Sequence, residues 1–444
     1  MERWKEIERV PAPVLIPAYG PMSGMRILAT GSLVSVPFSA SLLAEFGAEV
    51  IHVERVGSGD PLRSQSPVIM KEGNEYVVAP HSVPINEKVS TGWIQEARNR
   101  LSLCLDLNMK RAESKEIFLS LIKQSDVWME NLVWIEKLGI TEEMIFEVNP
   151  SIVILHCSGF GRPQFGGVPE ECERPSYDPI GQAEGGWMTL VGEPEPNPPT
   201  YGASYINDYL SATYATIGIL MAYYHAQKTG KGQSIDVTQI ESMSKCLNDS
   251  FVNYFTLGSL KERVGNQIPN WQPAGLFKTK DDDWLYIATY GPHVYARCMK
   301  AMGIDLEKYP HHLAGASIEA VNSPLGQELK QLIVDWAASR NAEEGLRELL
   351  KYKVPCGIPR KADYLANCEH YNSRGNFVEY EDQTLGETFK AFGSVPKLSK
   401  TPGHVWRGAP SIGQDTDTIL ATLVGYSDDE IDALKGKGII DPAI

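Results

Sequence analysis

From Met25 onward, short apolar runs alternate with amphipathic stretches. Residues 25–55, MRILATGSLVSVPFSASLLAEFGAEVIHVER, read as a strand, a turn broken by glycine and proline, an amphipathic helix, and a strand at Val50–Val53. Such a β-α-β unit implies a parallel sheet with helices on its faces, and ligands then sit beyond the carboxyl ends of the strands. The alternation continues through a short strand in Asn99–Leu107, a helix over Lys110–Gln124, a strand over Asp126–Met129 and a helix over Ile140–Phe146. Ser151–His156, SIVILH, is a continuous apolar run of the kind buried on both faces of a sheet. The pattern is that of a doubly wound α/β domain extending to about residue 225. Residues 64–96 show little periodicity and are expected to form an extended excursion. The proline cluster Pro194, Pro196, Pro198 and Pro199 is expected to be loop, and prolines at Pro11, Pro13, Pro17 and Pro21 suit an N-terminal arm laid over a surface.

Within Tyr201–Glu241 a lone carboxylate, Asp208, precedes Leu210, Tyr214, Ile217, Leu220, Met221 and Tyr224, and the pattern stops at Gly230. Spacings of three and four predict a helix with this set as its buried face and Asp208 as its N-cap. An ionised carboxylate at a helix start can equally be a nucleophile, and position alone does not choose between the two roles. TGKGQSIDV then gives a tight turn and a strand, and Glu241–Leu257 a further helix. Gly275–Tyr290 reads as a hairpin turning at Asp281–Asp283, helices dominate to about Tyr352, and Ser427–Leu434 is a short helix. This places a large domain over residues 1–239, a smaller inserted α+β domain over 240–365, and a return to the large domain over 366–444.

Composition narrows the function. The 444 residues carry a formal charge of −15, with 43% hydrophobic and 22% charged side chains, which suits a globular enzyme and excludes a general nucleic-acid binder. The apolar runs are too short to span a membrane and MERWKEIERV has no signal-peptide core, so a cytoplasmic protein is expected. The seven cysteines form no CxxC pair and the nine histidines no HExxH cluster, so neither a metal nor a disulfide framework is expected. The first turn lacks GxGxxG, which weakens a dinucleotide reading.

The ordered set GMRIL, LLAEFGAEVIHVE, GSGDPLR, NRLSLCLDL, SGFG, SYDPIGQAEGG, a lone Asp before a helix, TGKGQSIDV, VPCGIP, SKTPG, RGAPSIGQDT and VGYS resembles the class III coenzyme A transferases. The match runs from about Gly24 to Ile440, and the ending looks like the carnitine and bile-acid branch. The resemblance implies a Rossmann-like large domain built from both chain ends, an inserted small domain, and two subunits interlocked as a homodimer. It implies no tightly bound cofactor, a CoA thioester as substrate, and small carboxylic acids as its partners in exchange. It assigns Asp208 as the nucleophile that attacks the thioester and carries aspartyl anhydride and aspartyl-CoA intermediates. Helix-start N–H groups near Asn207 and Tyr209 are expected to steady the oxyanions.

The same resemblance marks Arg63, Asn99, Arg100 and Lys137 as candidate CoA contacts, and Val36, Tyr177, Trp187 and Tyr205 as pocket residues. Tyr201 and Trp271 would add to an aromatic wall for a betaine cation or a hydrophobic acid. Three departures stand out. Glu130–Asn131 is followed by LVWIEKLG where the family has a basic residue, proline and glycine. Ser35-Val36-Pro37 replaces Ala-Gly-Pro, and GNQIPNWQPAG lacks the glycine run of formyl-CoA transferase. An α-methylacyl-CoA racemase shares the fold but has a histidine where this chain has Tyr177 before Asp178, and racemisation needs two bases. A non-catalytic partner subunit of a hetero-oligomeric transferase is the remaining alternative.

Overall fold

The computed structural model describes residues 2–65, 67–132 and 135–440. Its central sheet has six strands, β1 (Arg26–Ala29), β2 (Glu49–Glu54), β3 (Arg100–Cys104), β4 (Val127–Glu130), β5 (Val153–Ser158) and β6 (Gln233–Thr238). They lie in the order β3-β2-β1-β4-β5-β6, with every neighbouring pair parallel. This is doubly wound topology: the chain leaves β1 towards one edge, returns, and places β4 on the other side of β1. The loops after β1 and β4 therefore diverge and open a crevice.

Helices α1 (Ser35–Ala44), α2 (Ala112–Gln124), α3 (Glu142–Val148), α4 (Asp178–Glu184), α5 (Ile206–Thr229) and α6 (Gln239–Ser244) serve this sheet. On one face Leu28, Ile51, Leu103 and Trp128 pack with Ile117, Phe118, Leu121 and Ile122 of α2. Ile419, Leu420, Leu423, Ile431 and Leu434 complete that core from the far end of the chain. On the other face Ile27, Val50, Met129, Val153 and Leu155 meet Val36, Ala40 and Leu43 of α1 and Ala215, Ile219, Ala222 and Ala226 of α5. The charged ends of the first strands are paired rather than solvated. Arg26 Nε donates to Glu49 Oε1 at 2.6 Å, and Glu49 Oε2 accepts from the N–H groups of Val14 and Leu15, which pins the N-terminal arm.

Helix α5 departs from its sequence pattern in two ways. The face predicted to be buried is exposed, with Ile217 at 46%, Leu220 at 38%, Met221 at 64% and Tyr224 at 61%. The face turned to the sheet carries Ser211, Ala212, Ala215, Ile219, Ala222 and Ala226 instead. Close approach favours small residues at several of these positions: a Cβ at Gly218 would stand 3.1 Å from Ile235 Cγ2. In addition, Asp208 is not the N-cap. That position belongs to Tyr205, at φ 62°, and Asp208 is the third residue of the helix.

Residues 64–96, expected as an irregular excursion, contain antiparallel pairs of Val68–Glu72 with Glu75–Val78 and with Val89–Ser90. The half-exposed, charge-bearing strands hide the alternation. Phe377–Asp382 and Glu387–Phe392 form another hairpin that the sequence reading did not mark.

Contacts divide the chain into two compact units. One comprises residues 1–187, 203–248 and 370–444; the other comprises 188–202 and 249–369. The segment 188–202, kept with the large domain in the sequence reading, is part of the second unit. In that unit Ala274–Lys278 and Trp284–Ala288 form the expected hairpin, extended by Cys356–Gly357, and cover a core with Tyr295, Met299, Leu329, Ile333 and Trp336.

Candidate active site

The crevice between β1 and β4 is held open by side chains at the strand ends. Asn131, just past β4, accepts from Ser32 N–H at 2.9 Å and donates to Ser32 O at 2.8 Å. Leu33, at φ 64°, donates its N–H to Asp60. Gly31 is required beneath this loop, since a Cβ there would come within 2.5 Å of Val36 Cγ1. A cavity of about 540 Å³ opens at this point, and Ser32, Leu33, Leu132, Lys137, Tyr177 and Asp208 are among its lining residues.

Asp208 reaches the cavity because another carboxylate occupies the helix terminus. Asp178, the first residue of α4, accepts from Asn207 N–H at 2.8 Å and from Gln182 Nε2 at 2.9 Å, and is 2% exposed. The Tyr209 N–H donates to Tyr205 O. The two backbone donors expected to hold oxyanions are thus engaged within the protein. Asp208 Oδ1 instead accepts from Gln239 Nε2 at 2.6 Å. Burial pushes the Asp208 carboxyl up from 3.8 to about 7; the Gln239 hydrogen bond opposes that rise and the nearby Asp178 charge adds to it. Burial therefore outweighs the pull of a helix start towards the ionised form.

A nucleophile candidate buried at the switch point of a doubly wound sheet fits several chemistries, and comparison with known proteins selects among them. A family model described as CoA-transferase family III matches residues 22–416. The chain belongs to this family. It is 32% identical to the bile acid CoA-transferase BaiK of Clostridium scindens, over 95% of this chain and 90% of that protein. It is 30% identical to the beta subunit of a succinyl-CoA–L-malate CoA-transferase of Chloroflexus aurantiacus, over 95% and 98%. Against the L-carnitine CoA-transferase of Proteus mirabilis the identity is 30%, over 96% and 97%. A crystal structure of a CAIB/BAIF family protein from Brucella suis has the same fold, with a TM-score of 0.75 at 24% identity over 91% of this chain and all of that one.

A family III CoA-transferase takes a CoA thioester as substrate, and the candidate CoA-contacting residues divide sharply in exposure. Lys137 is exposed and lines the Asp208 cavity. Arg63 is buried, with Nε and Nη2 each 2.7 Å from Glu54 and its guanidinium 3.9 Å over the Trp93 ring. Asn99 has no exposed surface; it donates to His404 O at 2.6 Å and accepts from Trp406 N–H at 2.9 Å. Arg100 is equally buried, donating to Ser41 Oγ at 2.8 Å and meeting His52 Nδ1 at 3.0 Å. These three side chains tie β3 and the C-terminal segment to the sheet, and they line neither the Asp208 cavity nor its neighbour. That neighbour, about 730 Å³, shares Ser32, Leu132 and Leu138 with the first and is lined by the exposed Arg55 at the end of β2.

The pocket residues divide similarly. Tyr177, 66% exposed at the start of α4, lines the Asp208 cavity. Val36 is fully buried behind Gly31, and Val34 and Ser35 line the wall in its place. Trp187 and Tyr205 are absent from the lining, and Tyr205 stacks edge-on against Tyr209. Tyr201 and Trp271 belong to the second compact unit, where Trp271 packs against Tyr290. Of the LVWIEKLG departure, Val133 and Trp134 lie outside the described residues.

Sequence reasoning missed Gln239 and the capping role of Asp178. Gln239 follows directly on β6 (Gln233–Thr238), whose carboxyl end the β-α-β rule aims at the site, and that position was its one available signal. Among the described residues no group of three or more His, Cys, Asp or Glu side chains is placed to hold a metal ion, and no helix is long and apolar enough to cross a membrane.

Proposed function

We propose that this chain moves CoA from an acyl-CoA donor to a carboxylic acid through covalent intermediates on Asp208. The observation that carries the proposal is a buried carboxylate opening into a cavity at the sheet's switch point. Asp208 attacks the donor thioester carbonyl, giving a mixed anhydride and CoA thiolate. The thiolate then attacks the Asp208 carbonyl carbon, forming aspartyl-CoA and releasing the donor acid. An acceptor carboxylate attacks aspartyl-CoA to form a second anhydride and thiolate, and the thiolate takes the acceptor acyl group and frees Asp208. Splitting the exchange conserves the thioester energy. The cavity lining offers Asp208, Lys137 and Tyr177 as ionisable side chains and no histidine, which favours transfer over racemisation.

Coenzyme A runs along the strand ends in this reading, with its thiol end at the Asp208 cavity and Lys137 and Arg55 as the cations nearest its phosphates. The wall formed by Leu33, Val34, Leu132, Leu138 and Pro175 is apolar, and Asp208 is its sole carboxylate among the described residues. That composition favours a bile-acid or aryl carboxylate over a betaine such as carnitine, whose cation would want further acids or an aromatic cage. The exposed row Ile217, Leu220, Met221 and Tyr224 is where a second copy would cover α5 in a homodimer. All seven cysteines are thiols, which suits the cytoplasm.

Treatment with acyl-CoA and then hydroxylamine should place a hydroxamate on Asp208, and Asp208→Ala should fold yet lose transfer. Full activity in that variant would end the proposal. Acceptance of cholate, benzoate and carnitine, with acetyl-CoA and succinyl-CoA as donors, ranks the acids. A second reading draws on the malate relatives, which are named as alpha and beta subunits: this chain would then need a related partner, and turnover by the chain purified alone would exclude it.

A further inference from the structure

We propose that Gln239 is a catalytic hydrogen-bond donor: its amide holds one oxygen of Asp208, leaves the other to attack, and then stabilises the oxyanion that forms on the aspartyl carbon. The inference rests on the covalent reading of Asp208 above. Gln239 is the first residue of α6, 7% exposed, and lines the cavity beside the carboxylate. Its Nε2 donates to Asp208 Oδ1 at 2.6 Å, while its Oε1 accepts from Ser176 Oγ at 2.5 Å.

This chain of contacts fixes which way the amide points. A carboxylate only accepts, and a hydroxyl can donate, so an ionised Asp208 faces the NH₂ end and Ser176 serves the oxygen end. The reverse orientation would set an amide oxygen against a carboxylate oxygen. Two further features place the residue. Thr238 Oγ1 accepts from Glu241 N–H and fixes the first turn of α6. On the opposite side, Gly181 of α4 leaves room that a Cβ would take, 2.9 Å from Gln239 Cβ.

The consequence appears in the second chemical step. With Oδ1 held, Oδ2 is the attacking oxygen, so in the anhydride Oδ2 bears the donor acyl group and Oδ1 is the carbonyl oxygen. When CoA thiolate adds to Asp208 Cγ, a C–S bond forms and the carbonyl electron pair moves onto Oδ1, where the Gln239 N–H already sits. Collapse restores the carbonyl and expels Oδ2 with the donor acyl group as a free carboxylate. No proton moves, and one donor serves both the resting nucleophile and the tetrahedral adduct. Removing an oxyanion donor from a buried site costs on the order of 10²-fold in turnover.

The test compares Gln239→Met, which keeps the length but donates nothing, and Gln239→Asn, which is too short to reach Oδ1, with wild type. The probes are succinyl-CoA and cholate, or the donor and acceptor pair with the fastest wild-type turnover in the acceptor series. Both variants should lose on the order of 10²-fold in kcat with little change in KM, and should form aspartyl-CoA more slowly in single turnover. The acid limb of the pH–rate profile should move to higher pH, because a bond favouring the ionised form is gone. Asp178 of α4, Cys157 of β5, Tyr209 of α5, and Tyr177 and Lys137 on the cavity wall also surround Asp208, and both substitutions leave them in place. Wild-type kcat and an unmoved acid limb in the variants would overturn the inference while a hydroxamate on Asp208 still stood. Absence of that hydroxamate in wild type would instead overturn the covalent reading. If both variants fail to fold, Ser176→Ala decides: the unlocked amide should lower kcat several-fold, and unchanged kinetics would refute the assignment.

Discussion

Asp208→Asn should make the protein more stable, and by an amount that depends on pH in a defined way. In the unfolded chain the carboxyl titrates near 3.8, whereas burial in the folded protein raises it to about 7. Between those values the folded protein holds a proton that the unfolded chain has released. Folding stability therefore falls as pH rises through this window, by 1.36 kcal/mol per pH unit. The accumulated cost above pH 7 is about 4 kcal/mol at most. Asparagine has the same shape, carries no charge, and still offers Gln239 an acceptor, so the variant escapes that cost. Urea unfolding of the two proteins at a series of pH values from 4 to 8 measures the difference. The curves should coincide near pH 4, separate steadily, and run parallel above pH 7 with the variant more stable, while CoA transfer is lost throughout. A difference that is constant across pH, or a less stable variant at pH 8, would refute the claim that burial raises this carboxyl.

Two other substitutions probe the surroundings. Gly181→Ala would place a Cβ 1.7 Å from Asn207 Nδ2 and 2.9 Å from Gln239 Cβ, pushing the start of α5 away from Asp178; it should cost about 1–3 kcal/mol of stability and roughly 10²-fold in kcat, read by urea unfolding and steady-state assay. Met221→Glu, at a position 64% exposed, should leave the fold of the subunit within about 0.5 kcal/mol but weaken self-association, and an undiminished dimer by light scattering would remove α5 from the interface.

The strand and helix alternation of the large domain was legible because each buried strand is a short apolar run, and Ser151–His156 is the clearest case. Boundaries held to within a few residues at Val50–Val53, Lys110–Gln124 and Ser427–Leu434, observed as Glu49–Glu54, Ala112–Gln124 and Asp428–Gly436. Helix α5 misled for a physical reason. Periodicity identifies an apolar stripe but not what covers it, and here mostly small residues, with Ile219, face the sheet while Ile217, Leu220, Met221 and Tyr224 point outward. The candidate CoA contacts differ from one another in burial for a related reason. A polar residue exposed beside a ligand loop and one hydrogen-bonded into the core look alike in sequence, and Arg63, Asn99 and Arg100 are buried and hydrogen-bonded within the protein. Lys137 and Tyr177 line the cavity because they stand on the loops at the switch point itself.

The relation between Asp178 and Asp208 bears on the choice that sequence position left open. Both carboxylates lie near the start of α5, and it is Asp178 that takes the Asn207 N–H. Asp178 accepts from Asn207 N–H and serves the helix, so Asp208 is spared the hydrogen bonds that would lower its basicity. A carboxylate at the ordinary aspartate value would be wholly ionised at pH 7 but weakly nucleophilic, since attacking power rises with basicity. Burial makes Asp208 a stronger base than an ordinary aspartate, which on the proposed reading makes its ionised form the more reactive nucleophile. The one side-chain donor it retains is an amide, which orients the group without neutralising it. On the proposed reading, capping and attack are divided between two acids, and a substitution that frees Asn207 N–H from Asp178 should draw Asp208 towards the helix start and out of the cavity.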